Sequence, residues 1–165
     1  MNPFLQKVYQ PGLNVEPATA ELLATVVRIA KARDVVEIGT ANGWSAIWLA
    51  EAARDTGGHV TTVDVQEWPG VAENLSGFEV DRVVADGGAY LAGRNDGEID
   101  LLFLDAERAE YASWWPHPAR VLRPGGVLAM DNPGEAADFL ALAGDCFIGG
   151  TAAVGKGLYL GWLKP

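Results

Sequence analysis

The segment Ile99-Asp100-Leu101-Leu102-Phe103-Leu104-Asp105 constrains this chain most. It is too apolar to leave either face in water, so it predicts a strand covered on both sides, near the centre of a parallel sheet. Around it, period-2 apolar runs alternate with stretches of helical spacing. Strands are predicted over 34–38, 59–64, 82–86, 99–105 and 125–131. Helices are predicted over 17–32, 44–54, 69–75, near Ala89, over 107–122 with interruptions at Pro116 and Pro118, and over 134–143. Two last runs, CFIGGTAAV and GLYLGWL, flank Gly155-Lys156-Gly157 and predict a closing antiparallel hairpin. The expected fold class is α/β: a doubly wound, mainly parallel, seven-stranded sheet.

At 165 residues the chain fits one domain, 1–165, able to bury a substantial core. With 12 basic and 22 acidic side chains the net charge is −10, which disfavours nucleic acid and anionic membranes as partners. No apolar run approaches the roughly 20 residues of a membrane span. A single cysteine excludes an intrachain disulfide framework and a cysteine-built zinc site. The first residues, MNPFLQKVYQPG, lack the apolar core of a secretory signal, so a cytoplasmic location is expected.

In doubly wound sheets ligands bind beyond the carboxyl ends of the strands. Here five strands end at or near a carboxylate: Glu37, Asp64, Asp86, Asp105 and Asp131. Any one of them could simply cap the helix that follows, but five together point to a site. The first turn, Val35 to Ser45, reads VVEIGTANGWS, with Gly39 and Gly43 letting a ligand approach the backbone. Ala41 breaks the G-x-G-x-x-G pattern that a pyrophosphate cofactor needs. Asp64, 21 residues after Gly43, is placed to hold the two hydroxyls of a ribose, which a nicotinamide cofactor and S-adenosylmethionine share.

With an acidic residue two before its first glycine, this turn resembles the first motif of class I S-adenosylmethionine-dependent methyltransferases. From about Val15 onward the chain is similar to the cation-dependent O-methyltransferases, the family of catechol and caffeoyl-coenzyme A O-methyltransferases, in a shortened form. VVEIGTANGWSAIWLA, HVTTVDV, VVADG, LLFLDAERAEY, LRPGGVLAMDN and VGKGLYL carry the resemblance. It implies a Rossmann-like methyltransferase sheet and transfer of a methyl group to a hydroxyl of a small, catechol-like acceptor. It places Glu37, Gly39, Thr40, Gly43 and Ser45 around the methionine end of S-adenosylmethionine and Asp64 on the ribose. Val65, Asp86 and Gly87 fall near the adenine. Asp105, beside the cofactor, joins Asp131 and Asn132 as ligands of a divalent cation, Mg²⁺ or Ca²⁺. Two carboxylates and an amide oxygen make a hard oxygen site that suits such an ion. Asn132-Pro133 read alone is a strand-ending turn. The family also implies a possible homodimer.

Three departures stand out. The family usually has a lysine, held to be the general base, where this chain has Arg108. An arginine cannot release a proton near neutrality, so Arg108 could only orient a substrate or stabilise an oxyanion, or extend into solvent beside Glu107 or Glu110. The acidity would then come from the metal alone, from His117 or Tyr111, or the acceptor is not catechol-like. About 16 residues precede the first predicted helix, where relatives carry more, and the stretch between Asn132 and Asp145 is compressed. Trp44 and Trp48 read as a core stripe, while Trp114 and Trp115 read as helix packing or acceptor pocket. His59 and Cys146 read as structural, and Asn95 to Glu98 as a solvated turn. A methyltransferase fold that binds cofactor or a partner without catalysis is the second functional class. A nicotinamide oxidoreductase is third, weakened by the broken glycine pattern.

Overall fold

The structure is a computed structural model and describes residues 2–165. Strands β1 (Asp34–Ile38), β2 (His59–Asp64), β3 (Val80–Val84), β4 (Ile99–Leu104), β5 (Leu122–Asp131), β6 (Phe147–Ala152) and β7 (Leu158–Leu163) form one sheet. Its order is β3-β2-β1-β4-β5-β7-β6. The pairs among β1 to β5 are parallel, and β7 runs antiparallel to both β5 and β6. The expected doubly wound sheet with a closing hairpin is therefore present, and β4 lies at its centre.

Side-chain alternation in the central strands feeds two cores at once. Val35, Leu101 and Phe103 face one layer, built with α1 (Pro3–Val8), α2 (Pro17–Ile29) and α3 (Trp44–Thr56). Val36, Leu102 and Leu104 face the other, built with α5 (Gly87–Gly93), a 3₁₀ segment (Arg108–Trp114) and α7 (Ala137–Ala143). All six of these strand side chains are buried, so neither face of β4 is wet. The short helices α4 (Val71–Asn74) and α6 (His117–Arg120) complete the connections.

Several boundaries depart from the sequence reading: helix α2 ends at Ile29 and not at 32, and α7 begins at Ala137 and not at 134. Helix α1 was not expected; the Asn2 side chain accepts from Leu5 N at 2.8 Å and Pro3 opens the helix, a start signal carried by two residues. Strand β3 ends at Val84, two residues before Asp86, because this edge strand is mostly exposed and gives little apolar signal. Strand β5 begins at Leu122, not Gly125. The Arg-Pro-Gly-Gly stretch is accommodated inside it, where the β4–β5 register shifts between Ile99 and Leu101. Residues 108–114 wind as a 3₁₀ segment and not as an α-helix.

Candidate functional site

The carboxyl ends of β1, β2 and β4 open onto a cleft of about 310 Å³. Of the cofactor-side residues expected from sequence, Gly39, Thr40, Ser45, Asp64, Val65, Gly87 and Asp105 line it.

The turn after β1 is fixed from both sides. Gly39 has φ +114°, and a Cβ there would lie 2.0 Å from the Asp105 carbonyl oxygen, so only glycine fits. Gly39 N donates to Val63 O at 2.8 Å and Asp105 N donates to Ile38 O at 2.9 Å, tying the turn to β2 and β4. Ala41 sits in the left-handed region at φ +45°, at a cost of about 1 kcal/mol. Its N–H donates to Asp64 Oδ2 at 2.9 Å. The residue that broke the glycine pattern is thus held by the carboxylate that was expected to grip a ribose.

Three expected residues stand elsewhere. Glu37 is buried and does not line the cleft: Thr62 Oγ1 donates to its Oε2 at 2.6 Å and Ser45 Oγ donates to its Oε1. Thr62 Oγ1 also lies 2.8 Å from Thr40 Oγ1. Glu37 therefore reaches the cleft directly through Ser45, and through Thr62 to Thr40. Burial raises its pKa to about 8; the two hydroxyls oppose that rise, and Asp105 and Asp64 add to it. Gly43 packs instead against α4, where a Cβ would meet Leu75 Cγ at 2.9 Å. Asp86 caps α5, accepting from Ala89 N at 2.8 Å, and borders a separate shallow depression with Ser113 and His117.

That depression also places the candidate base His117 outside the main cleft, and its Nδ1 accepts from Arg120 Nε at 3.1 Å. Tyr111 is no nearer to base chemistry: it is buried, its hydroxyl accepts from Ala106 N at 2.7 Å, and burial raises its pKa.

Trp114 is buried yet forms one wall of the cleft, over Gly87 and Gly88. A Cβ on Gly88 would lie 2.5 Å from its indole, so the Gly-Gly pair is its seat. Trp115 packs on Phe139 instead, with ring centroids 6.3 Å apart. Trp44 and Trp48 form the expected core stripe, edge to face at 5.9 Å. The Asn95–Glu98 turn is more tied down than expected, since Arg94 pairs with Glu98 and Arg120 with Asp96.

The sequence reading missed Leu13, Asn14 and Trp68, which also line the cleft. Asn14 Nδ2 donates to Asn42 Oδ1 at 2.7 Å, and Asn42 Nδ2 donates to Val8 O at 2.7 Å, which fastens the N-terminal segment over the turn. The indole N–H of Trp68 is buried and, among the described residues, has no hydrogen-bond partner. An aromatic four residues after the β2 carboxylate was the available signal for Trp68; no local pattern marked Leu13 or Asn14.

The β4–β5 side is organised by Arg108, which neither extends into solvent nor pairs with Glu107 or Glu110. Its Nη2 donates to Asp105 Oδ1 at 3.0 Å and to Asp131 Oδ2 at 2.7 Å. Its Nη1 donates to Ala106 O at 2.9 Å and its Nε to Asp131 O at 3.3 Å. Burial raises the pKa of Asp105 to about 7, with Asp131 adding to the rise and Arg108 opposing it. Burial raises Asp131 too, against Arg108, and Glu16 adds to it. Lys156, in the β6–β7 turn, favours the charged form of both carboxylates.

Sequence and structure agree that Asp105 and Asp131 come together, at the ends of neighbouring strands. The donor set does not fit a chelated divalent cation as it stands, because the guanidinium already bridges the pair. At an effective dielectric near 20, a dication about 4 Å from a fixed positive charge is repelled by roughly 8 kcal/mol. The guanidinium leaves Asp131 Oδ1 and Asp105 Oδ2 without a bond, and Asp131 Oδ1 is also buried and unpartnered among the described residues. Asn132 sits at φ +51°, in the left-handed turn that ends β5.

Compared with known proteins, residues 36–132 match the family described as a methyltransferase domain. A catechol O-methyltransferase of Niastella koreensis is 26% identical over 136 residues, covering 78% of this chain and 62% of the relative. The crystal structure of an O-methyltransferase from Bacillus cereus in complex with SAH is 22% identical, with a TM-score of 0.85 over 99% of this chain and 92% of that one. The O-methyltransferase TomG from Streptomyces achromogenes, involved in tomaymycin synthesis and solved with SAM, is 23% identical, with a TM-score of 0.82 over 100% of this chain and 91% of that one. At these identities the structural likeness establishes the fold. The chain spans 62%, 56% and 54% of the lengths of three curated relatives that it matches.

Proposed function

This chain belongs to the methyltransferase domain family, and from that premise we propose that it transfers a methyl group from S-adenosylmethionine to a hydroxyl oxygen of a small acceptor. One observation carries the reading: the cleft joins the glycine turn, the strand-end carboxylate Asp64 and the Trp114 wall in a single crevice. In it the methionine end of the cofactor lies against Gly39, Thr40 and Ser45, with Glu37 behind them. Asp64 takes the ribose hydroxyls, and Val65, Gly87 and Trp114 border the adenine. Asp86 is left out, because its side chain caps α5.

The acceptor oxygen attacks the methyl carbon in line with the carbon–sulfur bond. A carbon–oxygen bond forms, the carbon–sulfur pair returns to sulfur, and the neutral thioether S-adenosylhomocysteine leaves. The hydroxyl proton passes to water, since Arg108 cannot accept it. The protein's contribution is to hold the two reactants in line. Divalent-cation assistance is not part of this proposal, because Arg108 already bridges Asp105 and Asp131. The name of the Niastella relative makes catechols the first acceptors to assay.

A non-catalytic, cofactor-binding role is the second reading; it is favoured by an arginine where the related enzymes are expected to have a base. Calorimetry with S-adenosylhomocysteine, followed by methyl transfer from labelled cofactor to a panel of phenols, separates the two. Saturable binding with turnover supports the proposal. Binding without turnover on any acceptor favours the second reading, and absence of binding overturns both.

A further inference from the structure

We infer that this chain carries its own cation at the β4–β5 strand ends: the Arg108 guanidinium occupies the position that a divalent ion would need between Asp105 and Asp131, so the site binds no Mg²⁺ or Ca²⁺. A single nitrogen, Nη2, donates to both carboxylates, at 3.0 and 2.7 Å. The rest of the guanidinium is anchored by the carbonyls of Ala106 and Asp131. Four of its five N–H groups are therefore used, and moving it aside to admit an ion would break all four bonds. Arg108 is also partly buried, its side chain 18% exposed, so water does little to replace those contacts. Lys156 adds a second positive charge acting on the same two carboxylates. Two carboxylate oxygens carry no bond from the guanidinium, Asp131 Oδ1 and Asp105 Oδ2, but they belong to carboxylates whose other oxygens both hold Nη2, so an ion reaching for them would sit beside the bridging charge.

The guanidinium has one consequence for the acceptor, which rests on the methyltransferase reading. A dication holds two adjacent oxygens by chelation, whereas Arg108 has a single free N–H, on Nη1, beside the cleft. The acceptor class is then one held through a single oxygen, such as a phenol, and a vicinal diol gains nothing from its second hydroxyl.

Titration of the metal-stripped full chain with Mn²⁺, followed by the loss of the free-ion paramagnetic signal, tests the cation inference without any turnover. Wild type is expected to show no saturable binding below about 1 mM, the weak end of protein cation sites. Arg108→Ala empties the bridge and leaves both carboxylates; it is expected to gain saturable binding at least about tenfold tighter, with a Tm that rises on adding Mn²⁺. Arg108→Lys keeps the charge and should stay ion-free, and Arg108→Ala with Asp131→Ala should lose the gained site. One-to-one Mn²⁺ binding by wild type that Asp131→Asn abolishes would overturn the inference. So would a folded Arg108→Ala that binds no ion, since the guanidinium would then not be what excludes it. If Arg108→Ala fails to fold, the wild-type titration and Arg108→Lys still decide. S-adenosylhomocysteine binding is measured separately, with and without chelator: its absence sinks the methyltransferase reading and leaves the cation result standing.

Discussion

The two ends of the sheet treat carboxylates in opposite ways. At the amino end, Asp100 Oδ2 accepts the N–H groups of Arg33 and Asp34 at 2.7 and 2.9 Å, and its Oδ1 accepts from Arg123 Nε at 2.6 Å. Burial works against its charge, but these donors outweigh it and lower its pKa. At the carboxyl end Glu37, Asp105 and Asp131 are all raised, chiefly by burial. The amino end spends its donors on satisfying a charge, which favours folding. The carboxyl end leaves charges under-satisfied, as expected where a cationic ligand is to be received. Asp100 thus contributes chiefly to folding, whereas Glu37, Asp105 and Asp131 are set where a ligand is received.

The sharpest way to break this division is at Gly39. Gly39→Ala forces a Cβ onto the Asp105 carbonyl at a φ of +114°, and should cost about 3 kcal/mol of stability and eliminate S-adenosylhomocysteine binding by calorimetry. Next is Asp64→Ala, which removes the acceptor for Ala41 N and the proposed ribose contact. A charged hydrogen bond of about 1.5–3 kcal/mol corresponds to a loss of roughly 10- to 100-fold in affinity. At the amino end, Asp100→Asn should lower urea stability by about 2 kcal/mol and leave S-adenosylhomocysteine affinity unchanged. If Asp100→Asn weakened binding as strongly as Asp64→Ala, the two ends would not be separate.

The remaining test is in pH, and the two ends should differ in sign. Glu37 has its pKa raised from 4.5 to about 8 in the folded chain, so its contribution is fully present below 4.5 and is lost as pH rises through about 8. Glu37→Gln should therefore lose less stability than wild type between about pH 5 and about pH 9. Asp100 is lowered from 3.8, so its contribution is present above that value and is lost as pH falls through the folded pKa. Asp100→Asn should flatten the acid limb of the urea-stability profile and leave the alkaline limb as in wild type.

Most of the fold was legible because the two cores are written in local alternation. Strands β1 and β2 fall on their predicted residues, and the apolar run at 99–104 is central as its composition requires. Strand β3 slipped by two residues because an exposed edge carries little apolar pattern. Gly39, Thr40, Ser45 and Asp64 line the cleft because backbone conformation at strand ends sets them there, whereas Gly43 packs against α4. Arg108 was not legible in this way. Its partners at 105 and 131 come together only when β4 and β5 pair, and a side chain of that length could equally have reached solvent or Glu110. The same holds for Asn14, which reaches the turn through Asn42 from 28 residues away.

The closing hairpin has a consequence for the order in which the molecule is assembled. Strand β6 is joined to the sheet only through β7, which follows it in the chain, so β6 cannot dock until β7 arrives. The turn between them carries Lys156, and Gly157 O receives the N–H of Asn132 at 3.0 Å. Asp131 and Asp105 are brought to Arg108 by the pairing of β4 with β5, and to Lys156 by the docking of the hairpin. Charge balance at the strand ends thus depends on the hairpin as well as on the β4–β5 pair. A chain whose hairpin is undocked would hold that carboxylate pair short of one cation.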